Sequence, residues 1–223
     1  MHIGMIGGLG PAATQYYYRN LVAAHQAANK VMRLTITHAD LVIYLENMKA
    51  GKKQQAEIFL EHIRELQGAG CDAVAISTMA GHFCIDELEA ISPLPILNII
   101  PILNDAFGER GFKKIGLLGS KVAMESKIYG GIDSVECIAP RGDALDIVSE
   151  NYLSMALSGK ALDSQREVFF REGRKMIEED GADVIVLAGT DLFLAFEGHD
   201  PGFPVVDSAD IHIEKLASLS INA

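Results

Sequence analysis

Basic residues are scarce in this 223-residue sequence, which has 19 Lys and Arg against 30 Asp and Glu and a formal net charge of −11. Phosphate binding needs clustered Lys and Arg, so this balance disfavours a nucleic-acid partner. The acidic residues are spread along the chain, as is usual for a solvated surface. We therefore expect a small-molecule or protein partner and no nucleic acid.

Long apolar runs and secretion signals are also missing. No stretch approaches the ~18 to 20 uninterrupted apolar residues of a membrane span. The opening MHIGMIGGLG has neither the basic region nor the small-residue cleavage site of a signal peptide. Cysteine is rare as well: Cys71, Cys84 and Cys137 form no C-x-x-C pair, and their odd number fits free thiols in a reducing compartment. These absences predict a cytoplasmic protein with no membrane segment.

Short apolar runs alternate along the chain with segments that carry apolar residues at helical spacing. The runs end in glycine or small polar residues and cover 2–7, 33–40, 72–77, 95–100, 114–119, 183–188 and 204–208. Continuous apolar strands that alternate with helices are typical of a parallel sheet covered on both faces. The predicted fold class is therefore α/β.

Three of these segments occur twice, in the same order. The pairs are IGMIGG (3–8) with IGLLGS (115–120), GCDAVAIST (70–78) with GADVIVLAG (181–189), and LPILN (94–98) with FPVVD (203–207). Their nearly constant separation indicates a duplicated α/β unit, in which Thr78 and Gly189 occupy matched positions. Because open α/β sheets bind ligands at the C-terminal ends of their strands, we expect two lobes with these positions facing each other across a cleft.

The glycine-rich segment GLGPAA (8–13) follows the first predicted strand and satisfies the pattern G-x-G-x-x-A. Dinucleotide binding also requires an acidic residue that ends the second strand about 20 residues later. The nearest candidate, Asp40, lies 30 residues beyond Gly10. We therefore expect a carboxylate or phosphate, and not a nucleotide, at the N-terminus of the following helix, with Thr14 as a hydroxyl donor.

The sequence resembles the aspartate/glutamate racemase superfamily over nearly its whole length. IGMIGGLGPAAT is similar to the family's opening, LLGSKVAMESKIY (117–129) to its second-half substrate loop, and PVVDSADIH (204–212) to its closing strand and helix. The resemblance implies two pseudo-symmetric lobes, each a parallel sheet flanked by helices, with residues 1–98 and 205–223 in the first and 99–204 in the second. It also implies a PLP-independent isomerase of amino-acid metabolism that uses no cofactor, acts on a small acidic amino acid or related carboxylate, and forms a homodimer.

Both cysteines typical of the family are replaced in this sequence. Family members carry one in a Cys-Asn-Thr-x-His stretch and one in a Gly-Cys-Thr-Glu stretch, which correspond here to TMAGH (78–82) and AGTD (188–191). Cofactor-free racemisation needs a base on one face of Cα and an acid on the other, and a thiol with a pKa near ~8.5 suits both tasks. Thr78 is a far weaker acid and Gly189 has no side chain, so we expect little or no two-thiol racemisation.

Three residues are candidates for the chemistry in place of the thiols: Thr78, His82 and Asp191. His82 lies one helical turn beyond Thr78, and Asp191 replaces the family's Glu as a base or an orienting carboxylate. Structural alternatives stay open, since His82 can pack or cap a helix and Asp191 can cap the helix that follows. A non-catalytic carboxylate-binding or regulatory protein, or one-sided chemistry such as decarboxylation, elimination or isomerisation, also stays open.

The resemblance further implies a set of substrate-binding positions. Hydroxyls and backbone N–H groups would bind one carboxylate while a cation binds another, although the lysines can equally be surface residues. The set comprises Gly8, Thr14, Asp40, Lys49, Met79, Ala80, Ser120, Lys160, Gly189 and Thr190. No H-E-x-x-H motif and no Cys/His cluster with ligand spacing is found, so no metal is expected.

Overall fold

The chain forms two compact α/β units in the computed structural model, which describes residues 1–48 and 51–222. The first unit comprises Met1–Asn98 and His212–Ala223, and the second comprises Ile99–Ile211. Each unit contains one sheet in which all the strands run parallel, with helices on its connections. The predicted fold class, parallel sheets flanked by helices, is confirmed.

The first unit has three strands in the order β2-β1-β3, and Ile96 adds an isolated parallel bridge to Val74 of β3. Helix α1 begins at a proline in its first turn, where the missing N–H costs nothing. Its buried residues repeat every four positions, which places one face of the helix against the core. The elements are β1 (His2–Gly7), α1 (Pro11–Ala27), β2 (Arg33–His38), α2 (Leu41–Met48), α3 (Lys52–Gly68), β3 (Ala73–Ile76), a 3-10 turn (Ala80–Cys84) and α4 (Ile85–Glu89).

The second unit has four strands in the order β5-β4-β6-β7. Its strands β4 and β6 are buried along almost their whole length, which explains their continuous apolar sequences. Its elements are α5 (Ile99–Glu109), β4 (Lys114–Leu118), α6 (Lys121–Glu125), β5 (Glu136–Ile138), α7 (Asp143–Ser158), α8 (Asp163–Glu178), β6 (Val184–Leu187), α9 (Phe193–Phe196), β7 (Val205–Asp207) and the start of α10 (Ser208–Ile221).

The two sheets repeat one another in strand order and register. Gly4 of β1 pairs with Val74 of β3, and Gly116 of β4 pairs with Ile185 of β6. Both glycines allow a helix to approach the central strand. A Cβ at Gly4 would lie 3.0 Å from a side-chain atom of Leu66 on α3, and a Cβ at Gly116 would lie 3.0 Å from the sulfur of Met176 on α8. The fold therefore carries the duplication that the sequence indicates.

The closing strand β7 begins at the boundary predicted between the two lobes, and the assignment of residues 205–223 to the first lobe stays a prediction. Strand β7 pairs with β6 through the registers Ile185↔Val205 and Leu187↔Asp207. The open edge of β6 needs hydrogen-bond partners, and β7 supplies them within the second unit. The chain rejoins the first unit at His212, within α10.

His212 is bonded to two distant parts of the first unit. A carbonyl can only accept, so Nε2 of His212 donates to the Leu97 carbonyl at 2.8 Å, and Nδ1 accepts from the Tyr17 hydroxyl at 2.9 Å. These two bonds fix the tautomer of the imidazole and join α10 to α1. No helix in the described part of the chain is long and apolar enough to cross a membrane.

Candidate functional site

The site in the first unit begins with the glycine loop between β1 and α1. Gly8 has φ of 96°, and a Cβ there would lie 2.7 Å from Nδ1 of His38, so a side chain is excluded by both conformation and space. The Gly8 N–H donates to the Thr14 hydroxyl oxygen at 3.0 Å, and the same hydroxyl donates to the Gly10 carbonyl at 3.0 Å. Thr14 therefore shapes the loop directly, and its role towards a ligand stays a prediction.

Ser77 and Thr78 follow β3 and lie beside this loop. The Ser77 hydroxyl forms a hydrogen bond of 3.0 Å with Oγ1 of Thr14 and also lies 3.4 Å from the Ile6 carbonyl. Thr78 is buried, with 3% of its surface exposed. Ser77 is missing from the sequence-based candidates, although its place beside Thr78 at the strand end could have identified it.

His82 is fully buried and fixes the turn that carries Thr78. Its Nδ1 donates to the Thr78 carbonyl at 3.0 Å, which leaves the lone pair on Nε2. Burial lowers the pKa of His82 to about 4, against the opposing effect of hydrogen bonds to the Thr78 and Met79 backbone. The imidazole is therefore neutral near pH 7, and a ring of such low pKa is a weak general base.

The other predicted residues of the first unit have identifiable structural contacts. Asp40 accepts the N–H groups of Val42 at 2.8 Å and Ile43 at 3.0 Å, so its carboxylate caps the start of α2. Met79 is buried, and the Ala80 carbonyl accepts the Tyr44 hydroxyl at 2.6 Å. Lys49 lies outside the described residues. Gly8, Thr14, Thr78 and His82 are thus brought together, and Asp40 follows the neighbouring strand β2.

The second unit places the ends of β4 and β6 against each other. A Cβ at Gly119 would lie 3.2 Å from the backbone nitrogen of Gly189, so the backbone segments after β4 and β6 approach as closely as glycine allows. Ser120, the next residue, caps α6 by accepting the Ala123 N–H at 3.3 Å. The predicted residues Ser120 and Gly189 are therefore close in space at the strand ends.

Tyr152 of α7 occupies the space that a side chain at Gly189 would need. A Cβ at position 189 would lie 2.5 Å from Cζ and 2.8 Å from the hydroxyl oxygen of Tyr152, and closer still to Cε2. Tyr152 is 6% exposed and shares its buried face of α7 with Val148 and Met155. Sequence reasoning missed Tyr152, since its contact is with a loop more than thirty residues away in the sequence.

Thr190 and Asp191 follow Gly189 and are both buried. The Thr190 hydroxyl has no hydrogen-bond partner within the described ranges, which leaves a donor and acceptor unsatisfied. The pKa of the Asp207 carboxyl, at the end of β7, is raised by burial, then by Asp210 and to a lesser extent by Asp191. The Ala209 N–H opposes this shift by donating to Asp207 at 2.8 Å. Asp207 is a further polar group that sequence reasoning did not include.

Lys160 lies beyond the end of α7 and is exposed. Its backbone N–H donates to the Ser158 hydroxyl, while its ammonium makes no ion pair or hydrogen bond with another described residue. Eight residues separate it from Tyr152, which corresponds to about 12 Å along a helix axis. Its proximity to a bound ligand therefore stays a prediction.

The three cysteines are buried free thiols. Burial raises the pKa of Cys84 to about 12 and that of Cys137 to about 11, and it also raises the pKa of Cys71. A thiol with such a pKa is protonated near pH 7 and is a poor base or nucleophile. Within the described segments, no three His, Cys, Asp or Glu side chains come together in a way that could hold a metal ion.

The loop after α6 holds three consecutive non-glycine residues in the left-handed region. Lys127, Ile128 and Tyr129 have φ of 52°, 56° and 58°, and Gly130 continues at 76°. The Ile128 N–H donates to the Ala123 carbonyl at 2.7 Å, which holds this turn against α6. Each such residue costs roughly 1–2 kcal/mol, and backbone strain of this kind concentrates near functional sites.

Comparison with known proteins agrees with this architecture. The structure is similar to a Yersinia pestis protein proposed to be an Asp/Glu racemase, with 25% identity, a TM-score of 0.84 and coverage of 99% of this chain and 100% of that one. An aspartate racemase homologue from Pyrococcus horikoshii OT3 has 25% identity and a TM-score of 0.81 over 98% of each chain. Picrophilus torridus aspartate racemase, 20% identical with a TM-score of 0.78 over 98% of this chain and 95% of that one, shares the fold. The profile of the Asp/Glu/hydantoin racemase family matches residues 6–216, so the chain belongs to that family.

Proposed function

We propose that this protein is a racemase-type enzyme that binds a small acidic amino acid or related carboxylate and moves a proton at the carbon beside the carboxylate without a pair of thiols. The observation that carries the proposal is the chemistry at the two matched strand ends. One offers the Thr78 hydroxyl and the other offers Gly189 with the Tyr152 phenol against it. The cysteines of the chain are buried, with pKa values raised above their ordinary range.

One unsatisfied hydroxyl supports the binding part of the proposal. Thr190 is 0% exposed, and its hydroxyl has no partner in the part of the chain that the structure describes. A buried hydroxyl without a partner costs about 1–3 kcal/mol, and a ligand carboxylate that accepts its proton removes this cost. The N-terminus of α1, which follows the glycine loop, adds backbone dipoles that favour an anion.

The substrate class is supported by the relatives and by the cations of the chain. The two 25% identical relatives are a proposed Asp/Glu racemase and an aspartate racemase homologue. An acidic amino acid carries two carboxylates, and the exposed ammonium of Lys160 is available to bind one of them. In this proposal Asp191 orients the substrate or serves as a base, and His82 holds the Thr78 turn in place.

A panel of acidic ligands tests the proposal. Aspartate, glutamate, malate and succinate are titrated by calorimetry and by thermal shift, and each amino acid is then incubated in deuterium oxide and followed by NMR and chiral chromatography. We expect binding, exchange of the Cα hydrogen and little inversion. Binding without exchange would indicate a non-catalytic carboxylate-binding protein, whereas loss of CO₂ or ammonia would indicate one-sided chemistry. If none of the four ligands binds, the proposal fails.

Lys160→Met tests the cation. This change keeps most of the side-chain stem and removes the charge, so we expect affinity for a dicarboxylate to fall by about 1–3 kcal/mol. Lys30→Met, at an exposed position after α1, is the matched control and should leave affinity unchanged. Equal binding by Lys160→Met and wild type would remove Lys160 from the site.

The oligomeric state and the cellular location are inferred from the family resemblance alone. We expect a homodimer in the cytoplasm, in keeping with the free buried thiols. Light scattering at micromolar concentration measures the mass, and a value near the monomer mass of 24.1 kDa would contradict the dimer.

A further inference from the structure

The phenol of Tyr152 is the functional group that the second unit presents at the end of β6. Position 189 has no side chain, and the Tyr152 hydroxyl oxygen lies 2.8 Å from the point where a Cβ would begin. At the matched position of the first unit, the chain itself supplies a hydroxyl through Thr78. The duplicated fold thus presents a hydroxyl at both strand ends, one from the loop and one from a helix.

The position of the Tyr152 ring is determined by its surroundings. Its helix, α7, is attached to the end of β4 through Ser149, whose hydroxyl accepts the Lys121 N–H at 2.8 Å. Val148 and Met155, one turn to either side on the same face, are fully buried. A phenol carried by an anchored helix meets the geometric requirement for proton transfer better than one on a mobile loop.

The neighbours of the phenol indicate that a polar ligand belongs beside it. Thr190 follows Gly189 directly, is fully buried, and has a hydroxyl without a partner in the described ranges. Asp191 comes next and is 1% exposed. Parallel α/β sheets bind their ligands at these C-terminal strand ends. The orphaned hydroxyl is therefore independent support for a ligand at this end of β6.

We propose that Tyr152 is a catalytic residue, the acid and base that exchanges a proton with the substrate carbon at the end of β6. The inference rests on the proposed function and deepens it. In one direction the Tyr152 O–H bond breaks, its proton forms the Cα–H bond of a carbanionic substrate, and a phenolate remains. In the reverse direction the phenolate takes the Cα proton, the electron pair stays on the carbon, and the phenol is restored.

The chemistry of a phenol suits this step better than that of a threonine. A tyrosine hydroxyl ordinarily has a pKa near ~10, close to that of a thiol, whereas an aliphatic hydroxyl does not ionise in the accessible pH range. Positioned acids and bases accelerate proton transfer by about 10²- to 10⁴-fold. Gly189 is then required because any larger residue would push the phenol away from the strand end.

Tyr152→Phe tests the proposal because it keeps the ring beside Gly189 and removes only the hydroxyl. Exchange of the Cα hydrogen of aspartate and glutamate is measured in deuterium oxide, with affinity measured by calorimetry. We expect the exchange rate constant to fall by about 100-fold or more while affinity changes less than threefold. Tyr18→Phe, at a tyrosine that is 51% exposed on α1, is the control and should exchange at the wild-type rate.

A pH profile separates a catalytic role from a structural one. Replacing Tyr152 by 3-fluorotyrosine lowers the phenol pKa with little change in shape, so the alkaline limb of the exchange profile should move to lower pH. If Tyr152→Phe exchanges within threefold of wild type, the role of Tyr152 is overturned and the proposed function stands. Wild type that binds without exchange overturns the role of Tyr152 together with the catalytic part of the proposed function, and wild type that binds no ligand overturns both proposals entirely.

Discussion

The strand ends of the two units come from one duplicated pattern and now differ in nearly every polar contact. In the first unit, Thr14 and Ser77 join the glycine loop to the end of β3, and a neutral His82 holds the Thr78 carbonyl. In the second unit, the matched position is Gly189, the Tyr152 ring from α7 occupies the space beside it, and the buried carboxyl group of Asp191 follows. The backbone register is shared, while the side chains that define the chemistry are not.

The difference indicates how a duplicated fold can divide two tasks. In the first unit, the hydroxyls of Thr14 and Ser77 form a hydrogen-bonded network beside Thr78, which favours binding and positioning. The second unit leaves Thr190 unsatisfied and collects Asp191 and Asp207, which favours a role in charge and proton chemistry. Four changes in stability measure this difference.

The largest effect on stability is expected when the pH is lowered, because the first unit contains two buried histidines. The pKa of His82 is lowered to about 4 and that of His212 to about 3, from 6.5, so the unfolded chain takes up protons first as pH falls. The free energy of unfolding should therefore fall by about 2 kcal/mol for each histidine between pH 7 and pH 5. Denaturant titrations at several pH values measure this loss.

Variants assign that pH dependence to residues. His82→Asn and His212→Asn should each lower, by about one, the number of protons that the protein takes up when it unfolds at pH 5. His199→Asn, at an exposed position, is the control and should leave the slope unchanged. If the free energy of unfolding varied with pH to the same extent in all three variants, the neutral, buried state of the two rings would be contradicted.

The next effect is steric and belongs to the second unit. Gly189→Ala forces a methyl group into the Tyr152 ring and should lower the free energy of unfolding by about 1–3 kcal/mol. Thr78→Ala at the matched position creates no overlap and should cost less. Tyr152→Ala combined with Gly189→Ala should be less destabilising than the sum of the two changes. Additive costs would contradict the contact, and a cysteine at 189 should likewise need a smaller residue at 152.

A smaller effect of opposite sign is expected at the end of β7. Burial and two carboxylates raise the pKa of Asp207, so the unfolded chain releases this proton first as pH rises above 3.8. Asp207 therefore lowers stability at neutral pH, whereas the neutral histidines lower it in acid. Asp207→Asn keeps the acceptor for the Ala209 N–H and should stabilise the protein on the order of 1 kcal/mol at pH 7. The gain should vanish near pH 4, and Asp200→Asn on the exposed surface serves as the control.

The smallest effect concerns the left-handed turn after α6. Lys127 is exposed with φ of 52°, so Lys127→Gly removes backbone strain without removing packing. The relief of roughly 1–2 kcal/mol is partly offset by the flexibility of glycine in the unfolded chain, leaving a gain of about 0.5 kcal/mol. Glu125→Gly, in the preceding helix, should instead destabilise the protein. Thermal unfolding of both variants measures the expected gain in stability for Lys127→Gly and the expected loss for Glu125→Gly.

The pairing of β7 shows how far the internal repeat predicts strand order. The repeat matches FPVVD (203–207) with LPILN (94–98), and Val205 pairs with Ile185 as Ile96 pairs with Val74. Matched segments of a duplicated unit take matched places in their sheets, because strand order follows from which neighbouring edge is open. The assignment of residues 205–223 to the first lobe, which came from the resemblance, stays a prediction.

The sequence by itself determined the α/β class, the duplication, the family and the absence of thiols at Thr78 and Gly189, because apolar periodicity and local motifs are properties of neighbouring residues. Only the tertiary structure decided that Tyr152 lies against Gly189 and that His212 accepts a hydrogen bond from Tyr17, 195 residues away. Packing and desolvation depend on groups that are distant in sequence, and these two effects decide which hydroxyl, imidazole or carboxyl group can bind a ligand or carry a proton.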